Sequence, residues 1–254
     1  MSPRENLLEL REIGHSFGGL KVLRSVSFDV PSDGLVGLIG PNGSGKTTLF
    51  NIVTGYIAND LGTVTYGGQS LKAESVQDRS RAGLVRTFQT PKIFEQMTVY
   101  ENIMVGCCKL TNTTLLQDLG HTPKSRQQIR LIEDVAAQAC KKFGLLALRD
   151  EPSRNLTAGQ RRLVEIARAV VGNPRLLLLD EPSAGLNSDE IRQLQSWLRQ
   201  IRSEGISTLL VSHDMELMTV CDVVHVLNFG EIISSGTMEQ IQKDQRVRDA
   251  YLGV

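Results

Sequence analysis

Residues Gly40-Pro41-Asn42-Gly43-Ser44-Gly45-Lys46-Thr47 fit the spacing G-x-x-x-x-G-K-[ST]. Glycines at this spacing let the backbone fold around an anion, with successive N–H groups pointing inward. A helix that starts at Lys46 adds the positive end of its dipole. The Lys46 ammonium would reach the β- and γ-phosphates of a nucleotide, and the Thr47 hydroxyl would sit on Mg²⁺. Further on, the apolar run Leu176-Leu177-Leu178-Leu179 ends in Asp180 and Glu181. A buried strand there carries both carboxylates to the C-terminal edge of a parallel sheet, where ligands bind. Asp180 then suits the metal, and Glu181 can hold an in-line water and take up its proton. Loop and carboxylates together point to hydrolysis of a nucleoside triphosphate.

Three further places have suitable chemistry. Gln89 follows the apolar stretch Val85 to Phe88, where a neutral amide could bind Mg²⁺ or its water. His213 ends the stretch Thr208–Val211, where an imidazole could hydrogen-bond a phosphate. The argument for both is that they end adjacent strands; His15, His121 and His225 have no such placing and read as structural. The third place is Leu156-Thr157-Ala158-Gly159-Gln160. Thr157-x-x-Gln160 is a capping box, in which a hydroxyl accepts from the helix amides and the Gln side chain reaches back. Gly159 in the first turn weakens the helix relative to Ala, and a close approach by another group would account for it. An anion at this helix end is one reading and an ordinary capped helix is the other.

The elements that must position these groups follow from periodicity. Leu7 to Ile13, Val26 to Val30, Leu35 to Ile39 and Thr63 to Tyr66 read as strands, with a turn at Pro31–Gly34 and a hairpin turn at Gly67-Gly68. Lys46 to Thr54 reads as a helix ended by Gly55. From about Gln89 to Arg162 the pattern is helical and polar, with a capping box at Thr98-x-x-Glu101. The stretch 111–130 carries no recognisable chemistry, and helical spacing resumes over Ile132 to Leu146. Helices are expected at Ala158–Val171 (Leu163, Ile166, Ala167 and Val170 on one face), Asp189–Ser203 and Met215–Val220. Strands are expected at Leu176–Leu179 and Thr208–Val211, with a closing pair Val223–Leu227 and Glu231–Ile233. Thr237-x-x-Gln240 caps a final helix. Alternating strand and helix implies a largely parallel sheet covered on both faces, with the central helical stretch as an insertion.

Bulk properties narrow the class. The chain has 254 residues, with 28 Lys plus Arg against 28 Asp plus Glu. That balance gives no support for a broad nucleic-acid-binding face. No apolar run is long enough to span a bilayer, and the N-terminus has no apolar core of a secretory signal. Cys107, Cys108, Cys140 and Cys221 form no Cys-x-x-Cys pair and read as small buried thiols of a reducing compartment.

The order Gly40–Thr47, Gln89, Leu156–Gln160, Leu176–Glu181, Ser183-Ala184-Gly185-Leu186-Asn187, His213 resembles the ATP-binding cassette of ABC transporters, over almost the whole chain. The resemblance implies an α/β P-loop NTPase fold. A RecA-like, mostly parallel core sheet with an antiparallel β portion would span 1–88 and 166–254. An inserted α-helical subdomain over 89–165 would carry the signature. ATP and Mg²⁺ are the implied cofactors. Phe17 is similar to the aromatic that stacks on adenine. Asn42, Gly43, Ser44, Gly45, Lys46, Thr47, Thr48 and Gln89 match phosphate and metal contacts. Asp180 is similar to the Mg²⁺-site Asp, Glu181 to the catalytic base and His213 to the switch His. Thr157, Ala158, Gly159 and Gln160 resemble the signature that closes a partner cassette's site. Two stretches depart from the family pattern. Thr157-Ala158 stands for the usual Ser-Gly, with a methyl where backbone normally meets phosphate, and Asn187 stands where many cassettes have Asp.

Ser16–Leu20, Leu38–Phe50, Val85–Gln89, Met97–Asn102 and Ala250–Gly253 further resemble the Liv-type ATPases, which serve importers of branched-chain and other hydrophobic amino acids. The implied partners are membrane permease subunits, a second cassette (identical or paralogous) and, indirectly, a solute-binding protein, with no nucleic acid. The implied place is the cytoplasmic face of the inner membrane, peripherally bound, with Thr90 to Tyr100 as the permease contact. Urea or amide importers, lipid or lipopolysaccharide exporters, non-transport cassettes of DNA repair or translation, and P-loop kinases are the alternatives.

Overall fold

The structure, a computed structural model, describes residues 5–107 and 123–252. Cys108, His121, Gly253 and most of the 111–130 stretch lie outside the described residues. The chain divides into two compact units, residues 1–89 with 175–254, and 90–174. The sequence reading places the boundary at 165/166, inside a helix that lies whole in the second unit.

In chain order the first unit opens with β1 (Asn6–Phe17), β2 (Leu20–Pro31), β3 (Leu35–Ile39), α1 (Lys46–Thr54), β4 (Leu61–Tyr66), β5 (Gln69–Ser70), α2 (Val76–Arg81) and β6 (Leu84–Arg86). The second unit holds α3 (Val99–Gly106), α4 (Pro123–Lys142), two 3₁₀ turns and α5 (Ala158–Val171). The first unit resumes with β7 (Leu176–Asp180), α6 (Ser188–Ser203), β8 (Ser207–Val211), α7 (Met215–Met218), β9 (Val223–Asn228), β10 (Glu231–Gly236), α8 (Met238–Lys243) and α9 (Gln245–Leu252).

The first unit has two sheets. One is antiparallel, in the order β2-β1-β4-β5. The other runs β10-β9-β3-β8-β7-β6, with every pairing parallel except β10 against β9. Its inner strands β3, β7 and β8 are buried at every position, as expected of parallel strands covered on both faces. One apolar cluster joins Leu8, Leu10 and Val26 of the antiparallel sheet, Leu38, Leu178 and Leu209 of the parallel one, and Leu49 and Phe50 of α1. The phosphate loop and the two carboxylates are thus carried on the most buried strands of the unit.

Strands β1 and β2 are longer than their apolar patterns. Glu12 has φ 51° and the β1–β2 register shifts between Leu10 and Ile13. A bulge there breaks the alternation that marks a strand in sequence. Helix α1 has the expected bounds, and Gly55 closes it in a left-handed conformation. The buried Arg79 guanidinium then donates to the Ile52 and Val53 carbonyls at 2.7 and 2.9 Å, filling acceptors left open at the helix end. The single helix expected after Thr237 is two. Asp244 ends α8 in an extended conformation, and its carboxylate accepts from the Arg246 amide at 3.0 Å.

In the second unit, α3 and α5 pack against each other, and Val99, Ile103, Val164, Ala167 and Val170 are buried. The face of α5 differs from the expected one. Leu163 is only partly buried, whereas Arg162, Val164 and Glu165 are buried. Arg162 and Glu165 neutralise each other at 2.8 Å, so the helix buries charge that a hydrophobic count assigns to its outer side. Cys107, Cys140 and Cys221 are buried. Among the described residues no helix is long and apolar enough to cross a membrane.

Candidate nucleotide site

The loop between β3 and α1 is shaped by close contacts that exclude side chains. A Cβ on Gly40 would stand 2.0 Å from the Leu227 carbonyl oxygen. Gly45 has φ 111°, and a Cβ there would stand 2.6 Å from Leu23 Cδ2. Gly45 is also the residue that starts α1, and no side chain bonds to that helix end. The amides of the first turn are left facing the loop, as an anion site requires. Two observations show that the loop fits a phosphate chain. Ser44 Oγ is buried with no hydrogen-bond partner among the described residues. Lys46, partly buried, donates from Nζ to the Gly40 and Pro41 carbonyls at 2.7 and 3.0 Å. Burial lowers its pKa, and the nearby Glu181 and Asp180 carboxylates oppose that shift. Asn42, Gly43 and Thr47 are exposed, and Thr48 is partly so.

Asp180 ends β7 and Glu181 follows it, as the sequence implies. Glu181 has φ 49°, the left-handed region that a residue with a Cβ seldom occupies. Such strain is held by its surroundings and concentrates at functional positions. Here its amide donates to the Val211 carbonyl at 2.8 Å. Its Oε2 lies 2.8 Å from His213 Nδ1 and accepts from the His213 amide at 3.3 Å. The sequence reading treats Glu181 and His213 separately; the fold joins them as one pair. Asp180 is buried and pairs through Oδ2 with Arg86 Nη2 at 2.7 Å.

One argument needs correcting. Gln89 and His213 do not end adjacent strands, because β7 lies between β6 and β8. Strand β6 also stops at Arg86, which leaves Gln89 exposed three residues beyond it. The middle strand of that trio is the one carrying Asp180 and Glu181, so both residues flank the carboxylates.

Phe17 stands at the end of β1, half exposed, with its ring edge-to-face against His15 at 4.6 Å. Asp60 steadies this turn by accepting from the Ser16 amide at 2.7 Å and lying 3.3 Å from His15 Nδ1. A ring held in this way and open to solvent can stack on a base. His225 is structural as expected, stacked on Phe28 and bonded to Ser235 at 2.7 Å. Burial depresses its pKa to about 4.

At the start of α5 the capping box is formed. Gln160 N donates to Thr157 Oγ1 at 3.2 Å, and Thr157 N donates to Gln160 Oε1 at 2.9 Å. Thr157 and Ala158 are exposed, while Gly159 is buried. The Asn187 departure has a local explanation. Its side chain accepts from the Glu190 amide at 3.0 Å and Glu190 reaches back, a second capping box that either Asn or Asp can form.

Residues 23–184 match the ABC transporter family. The chain belongs to that family. Its last residues, 231–254, match a second one, described as branched-chain amino acid ATP-binding cassette transporter. The cassette is 39% identical to the high-affinity branched-chain amino acid transport ATP-binding protein LivG of Escherichia coli K12, over 97% of this chain and 98% of that one. It is 33% identical to the lipopolysaccharide export system ATP-binding protein LptB of Haemophilus influenzae, over 98% of each. Among solved structures it resembles the ADP conformation of MJ1267, an ATP-binding cassette of an ABC transporter. That likeness has a TM-score of 0.84 at 30% identity, covering 98% of this chain and all of the other. The cassette is therefore an ATPase with the P-loop fold that the motifs imply.

Two neighbours of the site escape the motif reading. Arg86 is one; it lies in the Val85–Gln89 stretch of the Liv-type resemblance, which assigns it no role at the site. Tyr251 on α9 is the other. Burial is the main cause of its raised phenol pKa, countered by a hydrogen bond from the Gly40 backbone and reinforced by the Glu181 carboxylate. The last helix thus reaches the phosphate loop, a contact that spans more than 200 positions in the chain and leaves no local trace.

Proposed function

We propose that this cassette is the energy-supplying subunit of an importer for branched-chain or other hydrophobic amino acids. The match of residues 231–254 to the branched-chain amino acid cassette family carries the solute class. In this reading Phe17 stacks on adenine, and the loop amides, Ser44, Lys46 and Thr48 hold the phosphates. Thr47, Asp180 and Gln89 hold Mg²⁺, which when bound neutralises charge building on the outer phosphates. Glu181 accepts the proton of the in-line water, and His213, in contact with Glu181, orients it and reaches the γ-phosphate.

Two cassettes form the working dimer, and Thr157 to Gln160 of each completes the other's site. Permease subunits dock on the segment 90–100, where Phe94 and Met97 are large exposed apolar side chains. A solute-binding protein delivers cargo to those permeases, so the cassette lies peripherally on the cytoplasmic face of the inner membrane. The likeness to LptB supports a second reading, an export cassette with different membrane partners.

The substitution Glu181→Gln tests the site. Turnover falls by about 10²–10⁴-fold, the range for removing a general base, while ATP binding persists and an ATP-bound dimer accumulates. Normal turnover in that variant would remove Glu181 from its role. Isolation from membranes with partners identified tests the solute class. Co-isolation of a periplasm-spanning lipid export assembly would replace import with export.

A further inference from the structure

Arg86 is buried beside the carboxylates and has no role assigned to it by the nucleotide-binding motifs. Its side chain is 6% exposed and Asp180's is 7% exposed. Nη2 meets Asp180 Oδ2 at 2.7 Å, and Nη1 donates to Asn51 Oδ1 on α1, also at 2.7 Å. The guanidinium lies over two aromatic rings, 5.4 Å from the Phe50 centroid and 5.3 Å from that of Phe88. Next to it, Thr87 Oγ1 accepts from the Asp180 amide at 3.4 Å. The segment leading to Gln89 therefore grips Asp180 by side chain and by backbone.

We propose that Arg86 is a positioning residue of the magnesium site, which fixes one oxygen of Asp180 and presents the other to the metal. This rests on the reading of Asp180 as a metal ligand. A carboxylate turns freely about its Cβ–Cγ bond unless one oxygen is held. Arg86 holds Oδ2, and Arg86 is itself held, because its planar fork is bridged to Asn51 and packed over the Phe50 and Phe88 rings. Asn51 and Phe50 belong to the helix that begins at the phosphate loop. The same guanidinium thus ties the metal carboxylate to the phosphate-binding helix. Outer-shell partners of metal ligands are typically worth ten- to a hundredfold in metal affinity. Lysine keeps the charge and loses the fork, so it separates orientation from electrostatics.

The test is direct metal binding, not turnover. Mn²⁺ affinity is measured by electron paramagnetic resonance with ADP present, beside ADP affinity in EDTA, for wild type and for Arg86→Met, Arg86→Lys and Asp180→Asn. The expected result is that Arg86→Met weakens Mn²⁺ by about tenfold or more and Arg86→Lys by less, both leaving metal-free ADP affinity unchanged. Unchanged Mn²⁺ affinity in Arg86→Met, or an equal loss with and without metal, overturns the proposal and leaves Arg86 a structural ion pair. If the Met variant does not fold, Arg86→Lys decides by the same criterion. Asp180→Asn separates the two levels. If it binds Mn²⁺ as wild type does, the metal-ligand reading itself fails; if it loses Mn²⁺ while the Arg86 variants do not, only the role of Arg86 fails.

Discussion

Helices α1 and α5 both begin at a glycine-bearing turn, and they begin in opposite ways. The start of α1 has no side-chain cap, so its first amides and the buried Ser44 hydroxyl face the loop. The start of α5 is closed by the reciprocal bonds of Thr157 and Gln160. An anion site at a helix end is made by withholding the cap. Any phosphate contact at α5 must then come from the amides the box does not use, or follow opening of the box. The buried faces contrast as well. Helix α1 buries Leu49, Phe50, Ile52 and Val53. Helix α5 buries the Arg162–Glu165 pair, and Glu165 also accepts from the Lys92 amide at 3.0 Å. One helix is seated by apolar area, the other partly by compensated charge.

That contrast can be tested from its strongest consequence to its weakest. Glu165→Ala leaves the Arg162 cation buried without its carboxylate, and should cost about 3–5 kcal/mol; Ile52→Val on α1 should cost about 1 kcal/mol. Urea unfolding with hydrogen exchange of the α5 amides measures both. A loss below about 1 kcal/mol for Glu165→Ala would mean that water reaches the pair, and the contrast between the faces would vanish.

A buried group whose nearby carboxylate, Asp29, only partly offsets its desolvation should behave differently. His225 has a folded pKa near 4 against 6.5 when unfolded. Between those values the unfolded chain binds a proton that the folded chain does not. Stability therefore falls as pH drops from 6.5 towards 4, by about 3 kcal/mol from this group. His225→Gln should flatten that part of the stability–pH curve; an unchanged slope would assign it to other groups.

At the helix starts, Gly45→Ala forces a side chain into a left-handed, crowded position. It should weaken nucleotide binding by about a hundredfold, the size of a strained-backbone penalty, as read by titration calorimetry. Thr157→Ala should cost only about 1 kcal/mol of stability, the usual worth of a cap, with nucleotide affinity of the isolated cassette unchanged. A comparable loss of affinity in Thr157→Ala would erase the difference between the two starts.

Much of the site was legible because its parts are local. The phosphate loop, the bounds of α1 and α5, and the capping boxes at Thr98, Thr157 and Thr237 each depend on residues within one turn of one another. The run into Asp180 and Glu181 was legible because a fully buried strand must be apolar until it exits. Other features were hidden by their geometry. The bulge at Glu12 broke the alternation of β1. The inward charges of α5 looked like an outer face. The order of strands placed β7 between the two supposed neighbours Gln89 and His213.

The sequence by itself determined that a nucleotide triphosphate is bound and hydrolysed, because loop, helix start and paired carboxylates are short-range chemistry. Only the tertiary structure decided how those groups are held. It set Glu181 against His213 and Asp180 against Arg86, because strands distant in sequence became neighbours in one sheet. A contact across 94 residues, as between Arg86 and Asp180, has no period and no spacing to announce it. It exists because a buried carboxylate must be compensated by whatever cation the fold brings within reach.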